Sequence, residues 1–316
     1  MEYGGGVQGK PYTPKKKTVL SQIKQNSDMY MLLLPGLALL ILFKYVPMYG
    51  ILIAFQDFNI FDGIAGSEWV GFAHFAKMFQ SAEFYRVLWN TLALNIAKIV
   101  FMFPIPIILA ILLNEMRCEA YKKSVQTIIY IPHFLSWVVV GGLFVNILSP
   151  TSGIVNQIIK MMGGKPVPFM TSNSWFRSVL VVSATWKEAG YNAIIYIAAI
   201  AGISQEIYEA AKMDGAGRFR RIIHITLPEL SSTIILMLIL RLGEILINGT
   251  EQVLMMYNSV VYETGDIIGS YVYRMGIGKM EYSFTTAVGL FESIVGLVLV
   301  MGGNALSRRM LDKSIW

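Results

Sequence analysis

The residues of this chain that could do chemistry are few, and many of them stand where charge is costly. Lys44, Lys98, Lys187, Glu188, Arg241, Glu244 and Glu292 fall inside long apolar segments. A charged side chain at the middle of a membrane costs at least ~2.5 kcal/mol on insertion scales, so such residues invite a functional reading. Trp186, Glu188, Tyr191 and Asn192 cluster in one apolar segment, and Glu244 and Asn248 in another. Aromatic faces combined with amide and carboxylate groups hold sugars well. These six residues are the candidate lining of a solute pathway. Plainer uses stand beside this one. Lys44 and Lys187 can extend their stems to an interface. Arg241 and Glu244 are three residues apart and can pair on one helical face. Helix bundles also use polar groups for packing, and small Gly141, Gly142, Gly289 and Gly296 suit close helix contact.

A second concentration of charge lies in residues 204–228, which contain the run EAAKMDGAGRFRRIIHITLP. Ser204 can cap a helix start, and Glu206 follows in the first turn, where a negative charge suits the helix dipole. Ala210 and Ala211 are strong helix formers with little bulk, so another surface can approach them closely. Gly215 can adopt the left-handed conformation that ends a helix. A short second helix is expected next. Phe219, Ile222 and Ile223 fall on one side of it, Arg218, Arg220 and Arg221 fill the rest, and Pro228 stops it. The predicted product is a compact knob. By charge and periodicity alone, the segment serves equally well as an interfacial loop whose arginines meet anionic headgroups.

The elements that position these residues are membrane spans. Of 316 residues, 55% are hydrophobic and 15% charged, where a soluble domain carries roughly 25% charged residues. Mean hydropathy is +0.55. The net charge of +6 is gathered into particular loops, a pattern of topology control and not of nucleic-acid binding. Cys118 is the single cysteine, which excludes an internal disulfide or a cysteine-based zinc cluster. His74, His133 and His224 lie far apart without ligand-like spacing, so neither a metal site nor a catalytic residue is expected. No GxxxxGK[ST] phosphate loop is present. No cleavable leader is expected, because the basic start runs into a long apolar segment with a Lys and a Pro late in it.

Six apolar segments approach or exceed the roughly 20 residues needed to cross a bilayer: residues 29–55, 87–113, 125–148, 176–203, 230–248 and 284–306. Six spans put both termini on one side. Lys10, Lys15, Lys16, Lys17, Lys24, Arg117, Lys122, Lys123, Lys212, Arg218, Arg220, Arg221, Arg308, Arg309 and Lys313 fall on that side. They outnumber Lys77, Arg86, Lys160, Lys165, Arg177, Arg274 and Lys279 on the other. The positive-inside rule makes the first side cytoplasmic. Residues 1–28 are expected to form a flexible basic cytoplasmic tail, with a short interfacial helix over residues 18–26. Residues 29–316 form the membrane domain. The opposite loops carry Phe58, Phe61, Trp69 and Phe72, or are rich in Gly, Ser, Thr and Tyr. They suit either an extracytoplasmic partner or plain interfacial connection.

The spacing of Glu209-Ala210-Ala211, Gly215 and Ile225-Thr226-Leu227-Pro228 resembles the cytoplasmic coupling loop of ABC-importer permeases. From Leu32 onward the chain is similar to carbohydrate-importer permeases of the maltose-transporter class. The nearest likeness is to the branch serving polysaccharide fragments and complex oligosaccharides. Leu32-Leu33-Leu34-Pro35, Phe43-Lys44-Tyr45-Val46-Pro47-Met48-Tyr49-Gly50 and Tyr130-Ile131-Pro132-His133-Phe134-Leu135-Ser136-Trp137 carry that likeness. So do Val70-Gly71-Phe72, Asn90-Thr91-Leu92 and Leu148-Ser149-Pro150. The resemblance implies an all-α, six-span, type I importer permease in a bacterial cytoplasmic membrane. Its implied partners are a second permease, two ATPase subunits that hold the ATP and Mg, and an extracellular substrate-binding protein. Membrane lipids surround it, and the chain binds no cofactor and catalyses no reaction. Glu209, Ala210, Ala211, Asp214, Gly215 and Arg218 are the implied ATPase-coupling residues. A permease for amino acids or peptides and a self-contained secondary carrier remain open alternatives.

Overall fold

A computed structural model describes residues 26–311, with side chains to residue 309. Residues 1–25 of the expected tail, with most of its interfacial helix, and Lys313 lie outside these residues, while Ser27 and Asp28 already belong to the first helix. Two compact units divide the chain, one ending at Leu52 and the other beginning at Ile53.

The long helices are α1 (Ser27–Phe55), α2 (Ala82–Asn114), α3 (Glu119–Phe134), α4 (Trp137–Ile147), α5 (Phe176–Ala201), α6 (Gln205–Met213), α7 (Arg218–Gly243), α8 (Thr250–Met256) and α9 (Tyr282–Leu311). Helices α1, α2, α7 and α9 are each long and apolar enough to cross a membrane. The bent pairs α3–α4 and α5–α6 bring the number to six if each counts as one span.

One device recurs in three of these helices. A proline in a helix interior lacks an N–H and pushes against the carbonyl four residues back. Here a widened π turn stands just ahead of three such prolines, though not of Pro35. Ile41–Tyr45 precedes Pro47, Lys98–Met102 precedes Pro104, and Ile222–Thr226 precedes Pro228. Val46, Phe103 and Leu227 N–H groups reach back five residues to Ile41, Lys98 and Ile222 carbonyls. The wider turn makes room for the ring, and the helix runs on. Pro228 is therefore not the stop that the sequence predicts. The expected short second helix of the knob is the first turn of α7, continuous through 26 residues.

The segment 125–148 also departs from expectation. It is two helices bent by 101°, not one straight span. Ile131–Phe134 tightens to a 3₁₀ turn around Pro132, Leu135 is extended, and Ser136 starts α4 by accepting the Val139 N–H at 3.3 Å. A proline and a fresh N-cap within five residues outweigh the apolar run on either side.

Helix α5 explains most of the core. Phe176, Val179, Leu180, Ser183, Ala184, Lys187, Gly190, Ala193, Tyr196 and Ile200 are buried along one 3.6-period stripe. It packs on the Pro104–Asn114 part of α2, and α7 packs on α9. A side chain at Gly190 would collide with the Ile129 carbonyl, so only glycine permits α3 and α5 to cross there. Gly296 meets the Gly243 carbonyl, and Gly141 lies against Met255 and Met256, both as close contacts of helices. Gly142 and Gly289 face open space, contrary to expectation.

The stretch 249–283 reads as a Gly- and Tyr-rich connector, yet it is built into the core. Gln252, Val253, Met256, Val261, Ile267, Ile268 and Tyr271 are buried. Asn90 donates to the Glu263 and Asp266 carbonyls at 2.9 and 3.0 Å, and Arg177 reaches Asn90 Oδ1 at 2.6 Å. Between α1 and α2, β1 (Gln56–Asp57) pairs antiparallel with β2 (Glu68–Trp69), a small exception to the all-α character of the described residues.

Candidate functional site

Two sites emerge, and α7 belongs to both. The first is the knob formed by α6 and the start of α7. Ser204 accepts the Glu206 N–H at 3.3 Å and opens α6. The helix closes at Gly215, whose φ of +78° is open to glycine at little cost. Gly215 N–H bonds the Lys212 carbonyl at 3.0 Å, and Ala216 N–H bonds the Ala211 carbonyl at 2.9 Å. That pair of bonds is a Schellman closure, and it turns the chain straight into α7. Glu209, Ala210, Asp214 and Arg218 are exposed, and Ala211 is half-buried. Met213 and Phe219 stand out into the surroundings at 88% and 75% exposure, so the tip of the knob is apolar with charges around it.

Two links attach the knob to the bundle. Tyr208 hydroxyl and the buried Thr226 hydroxyl lie 2.9 Å apart, joining α6 to α7. Arg218 Nε lies 3.8 Å from Glu115 Oε2 at the end of α2. Neither link is apparent from the sequence, since Tyr208 and Thr226 are 18 positions apart and the pair exists only once the Gly215 turn is made.

The second site is a polar cavity of about 340 Å³ between α2, α4, α5, α7 and α8. Lys98, Trp137, Glu188, Asn192, Arg241, Asn248, Glu251 and Gln252 line it. A neighbouring cavity of about 240 Å³ shares Met102, Asn192 and Arg241 and adds Tyr196 and Glu244. Of the six residues expected along a pathway, Glu188, Asn192 and Asn248 meet in the first cavity, and Asn192 and Glu244 in the second. Glu188 and Asn192 are four apart and share a helical face.

Trp186 and Tyr191 are placed elsewhere. Trp186 sits two residues before Glu188, hence on another side of α5, where it lines an apolar groove with Phe101, Ile105 and Val182. Tyr191 stacks on His133 with ring centroids 3.7 Å apart. That stack belongs to a clamp across the α3–α4 bend. His133 Nδ1 is 2.8 Å from Glu188 Oε2, Lys187 Nζ is 3.2 Å from Glu188 Oε1, and the same ammonium donates to the His133 carbonyl at 2.7 Å. Glu188 is thus both cavity lining and counter-ion.

Arg241 and Glu244 form no ion pair among the described residues. Helix α7 ends at Gly243, so Glu244 leaves the helical face and accepts from Asn248 at 3.3 Å instead. The sequence reading missed Gln252, which is fully buried. It accepts from Lys98 at 2.8 Å and donates to the Leu180 carbonyl at 2.6 Å and to Ser183 Oγ at 2.9 Å. Its signal was the charge of Lys98 inside a span, which required a polar partner.

Comparisons with known proteins fit this geometry. The family described as binding-protein-dependent transport system inner membrane component matches residues 103–312. The chain is 45% identical over 302 residues to the polygalacturonan/rhamnogalacturonan transport system permease protein YteP of Bacillus subtilis (strain 168), covering 96% of this chain and 94% of that protein. It matches a crystal structure of a bacterial ABC transporter involved in the import of the acidic polysaccharide alginate, with a TM-score of 0.86 and 41% identity, over 93% of this chain and 100% of that one. A bacterial alginate ABC transporter in complex with an alginate pentasaccharide-bound periplasmic protein matches with a TM-score of 0.86 and 40% identity, over 95% of this chain and 100% of that one. With its membrane-crossing helices, its knob and its polar cavity, this chain belongs to the family of binding-protein-dependent transport system inner membrane components.

Proposed function

We propose that this chain is the permease subunit of an ATP-driven importer of oligosaccharides or polysaccharide fragments. An extracytoplasmic binding protein delivers the solute. A second homologous permease completes the pathway, and two ATPase subunits, which hold the ATP and Mg, engage from the cytoplasm. The chain binds no cofactor of its own. It sits in a bacterial cytoplasmic membrane with both termini inside, an orientation supported by the distribution of Lys and Arg.

The observation that carries this reading is the course of α7. One unbroken helix bears Arg218 and Phe219 at the knob and Arg241 at the cavity. At about 1.5 Å per residue, these ends lie about 35 Å apart. An ATPase that grips Glu209, Ala210, Ala211 and Asp214 moves α6, and the Tyr208–Thr226 link and the Gly215 turn pass that motion into α7. The far end of the same helix forms cavity wall, so displacement at the knob alters the space open to solute. The names of the similar proteins support a saccharide as that solute.

Co-purification of the chain with its partner permease and ATPase tests this, wild type against Glu209→Lys. Capture of the ATPase by the wild type and its loss in the variant, with membrane insertion retained, is the expected result. A folded wild-type chain that captures no ATPase and carries solute alone overturns it.

A further inference from the structure

We infer that Lys98 and Arg241 together read a carboxylate on the moving saccharide, so that this pathway is built for acidic fragments; this rests on the oligosaccharide-importer reading above. Both cations line the 340 Å³ cavity, one from α2 and one from the end of α7. They also flank a small void with Asn95 and Ile245, which places them on the same wall. Lys98 is 7% exposed and its described bond goes to the neutral amide of Gln252. Arg241 has no ion-pair partner among the described residues.

Two of the three carboxylates that line the two cavities are bonded to other groups. Glu188 is held by Lys187 and His133. Glu244 is bonded to Asn248. Glu251 stands in the first turn of α8, where the helix dipole already stabilises a negative charge. Two like charges facing one cavity repel each other. An anion between them removes that repulsion, and a carboxylate suits both, since Arg offers a planar fork and Lys a compact point charge. Neutral sugars gain nothing comparable from the pair. Because Arg241 rides on α7, the helix that carries the knob, movement of α7 draws one cation away from the other and releases the bridged anion.

The test uses the complete complex in proteoliposomes, with its binding protein, partner permease and ATPase. Uptake of a short labelled oligogalacturonide is measured beside uptake of its methyl ester, which keeps the sugar and loses the charge. Lys98→Gln and Arg241→Gln are each expected to slow the acid by about tenfold, the scale of one lost hydrogen bond to a charged group. Uptake of the ester is expected to fall much less than that of the acid, and Arg241→Lys to restore much of the acid uptake. ATPase stimulation by the binding protein and complex yield serve as controls for folding. Parallel loss of acid and ester uptake makes the two residues structural and overturns the inference, as does unchanged acid uptake in both variants. A ratio of acid to ester that follows chloride concentration assigns the pair to a small inorganic anion and overturns it too. Wild-type complex that moves neither compound, yet moves an amino acid or peptide, overturns the saccharide reading itself.

Discussion

Where residues 249–283 close over the bundle, Asp266 is fully buried and bonded twice, to Ser270 at 2.8 Å and to Arg274 at 2.9 Å. Arg274 reaches on to Glu83 at 2.8 Å and lies 4.9 Å from the Tyr262 ring centroid. Asn90 and Arg177 bind the same stretch from α2 and α5. At the knob, Glu209, Asp214 and Arg220 are exposed, and the links to the bundle are one hydroxyl pair and one long ion pair. One end is locked by buried polar bonds that would be costly to break. The other is a light, exposed attachment that relies on its own helix geometry. Under the proposed function the two ends divide the work: one is a fixed frame, and the other is a surface that an ATPase could take hold of and move.

Changes at each end should therefore separate stability from coupling. Asp266→Ala leaves the half-buried Arg274 with Glu83 alone and removes the Ser270 partner. Breaking a buried pair costs ~3–5 kcal/mol, so this variant should show the largest fall in melting temperature in detergent. A melt equal to wild type would dissolve the contrast between the two ends. Gly215→Ala places a Cβ at a φ of +78° with open space around it, so it pays only the backbone strain of roughly 1–2 kcal/mol. That strain should act locally, visible as faster amide exchange in α6 with the melt of the bundle nearly unchanged.

Tyr208→Phe removes one hydrogen bond, a change of ~0.5–1.5 kcal/mol, and should loosen α6 from α7. Its signature is binding-protein-stimulated ATP hydrolysis that continues while uptake falls. Uptake and hydrolysis falling together would mean that the hydroxyl pair is not a transmission link. Glu209→Lys should alter stability least, within about 0.5 kcal/mol for an exposed position. It should nonetheless abolish capture of the ATPase, the clearest separation of fold from function in the molecule.

The two sites differed in how well the sequence disclosed them. The knob was legible because its signals are local. Ser204, Gly215 and the alanines act within a few residues of where they stand, and the Gly215 turn forms as its residue type demands. The cavity was half legible. Glu188, Asn192 and Asn248 were marked by polarity inside apolar runs, but Trp186 and Tyr191, marked in the same way, turn to other faces. Sequence proximity gathers candidates along a helix, while helical phase decides which of them share a wall.

By itself the sequence determined a polytopic helical chain, since apolar runs of spanning length and few charges leave no soluble alternative. It also determined the charged knob between two spans. Three things were legible only in the structure. The fates of Pro47, Pro104 and Pro228 depended on the π turns that stand just ahead of them. The division of Arg241 from Glu244 depended on where α7 ends. The meeting of Lys98, Arg241 and Gln252, far apart in the chain, required α2, α7 and α8 to pack together. Local propensity acts over a few residues, whereas a wall made of three helices exists only after the bundle closes.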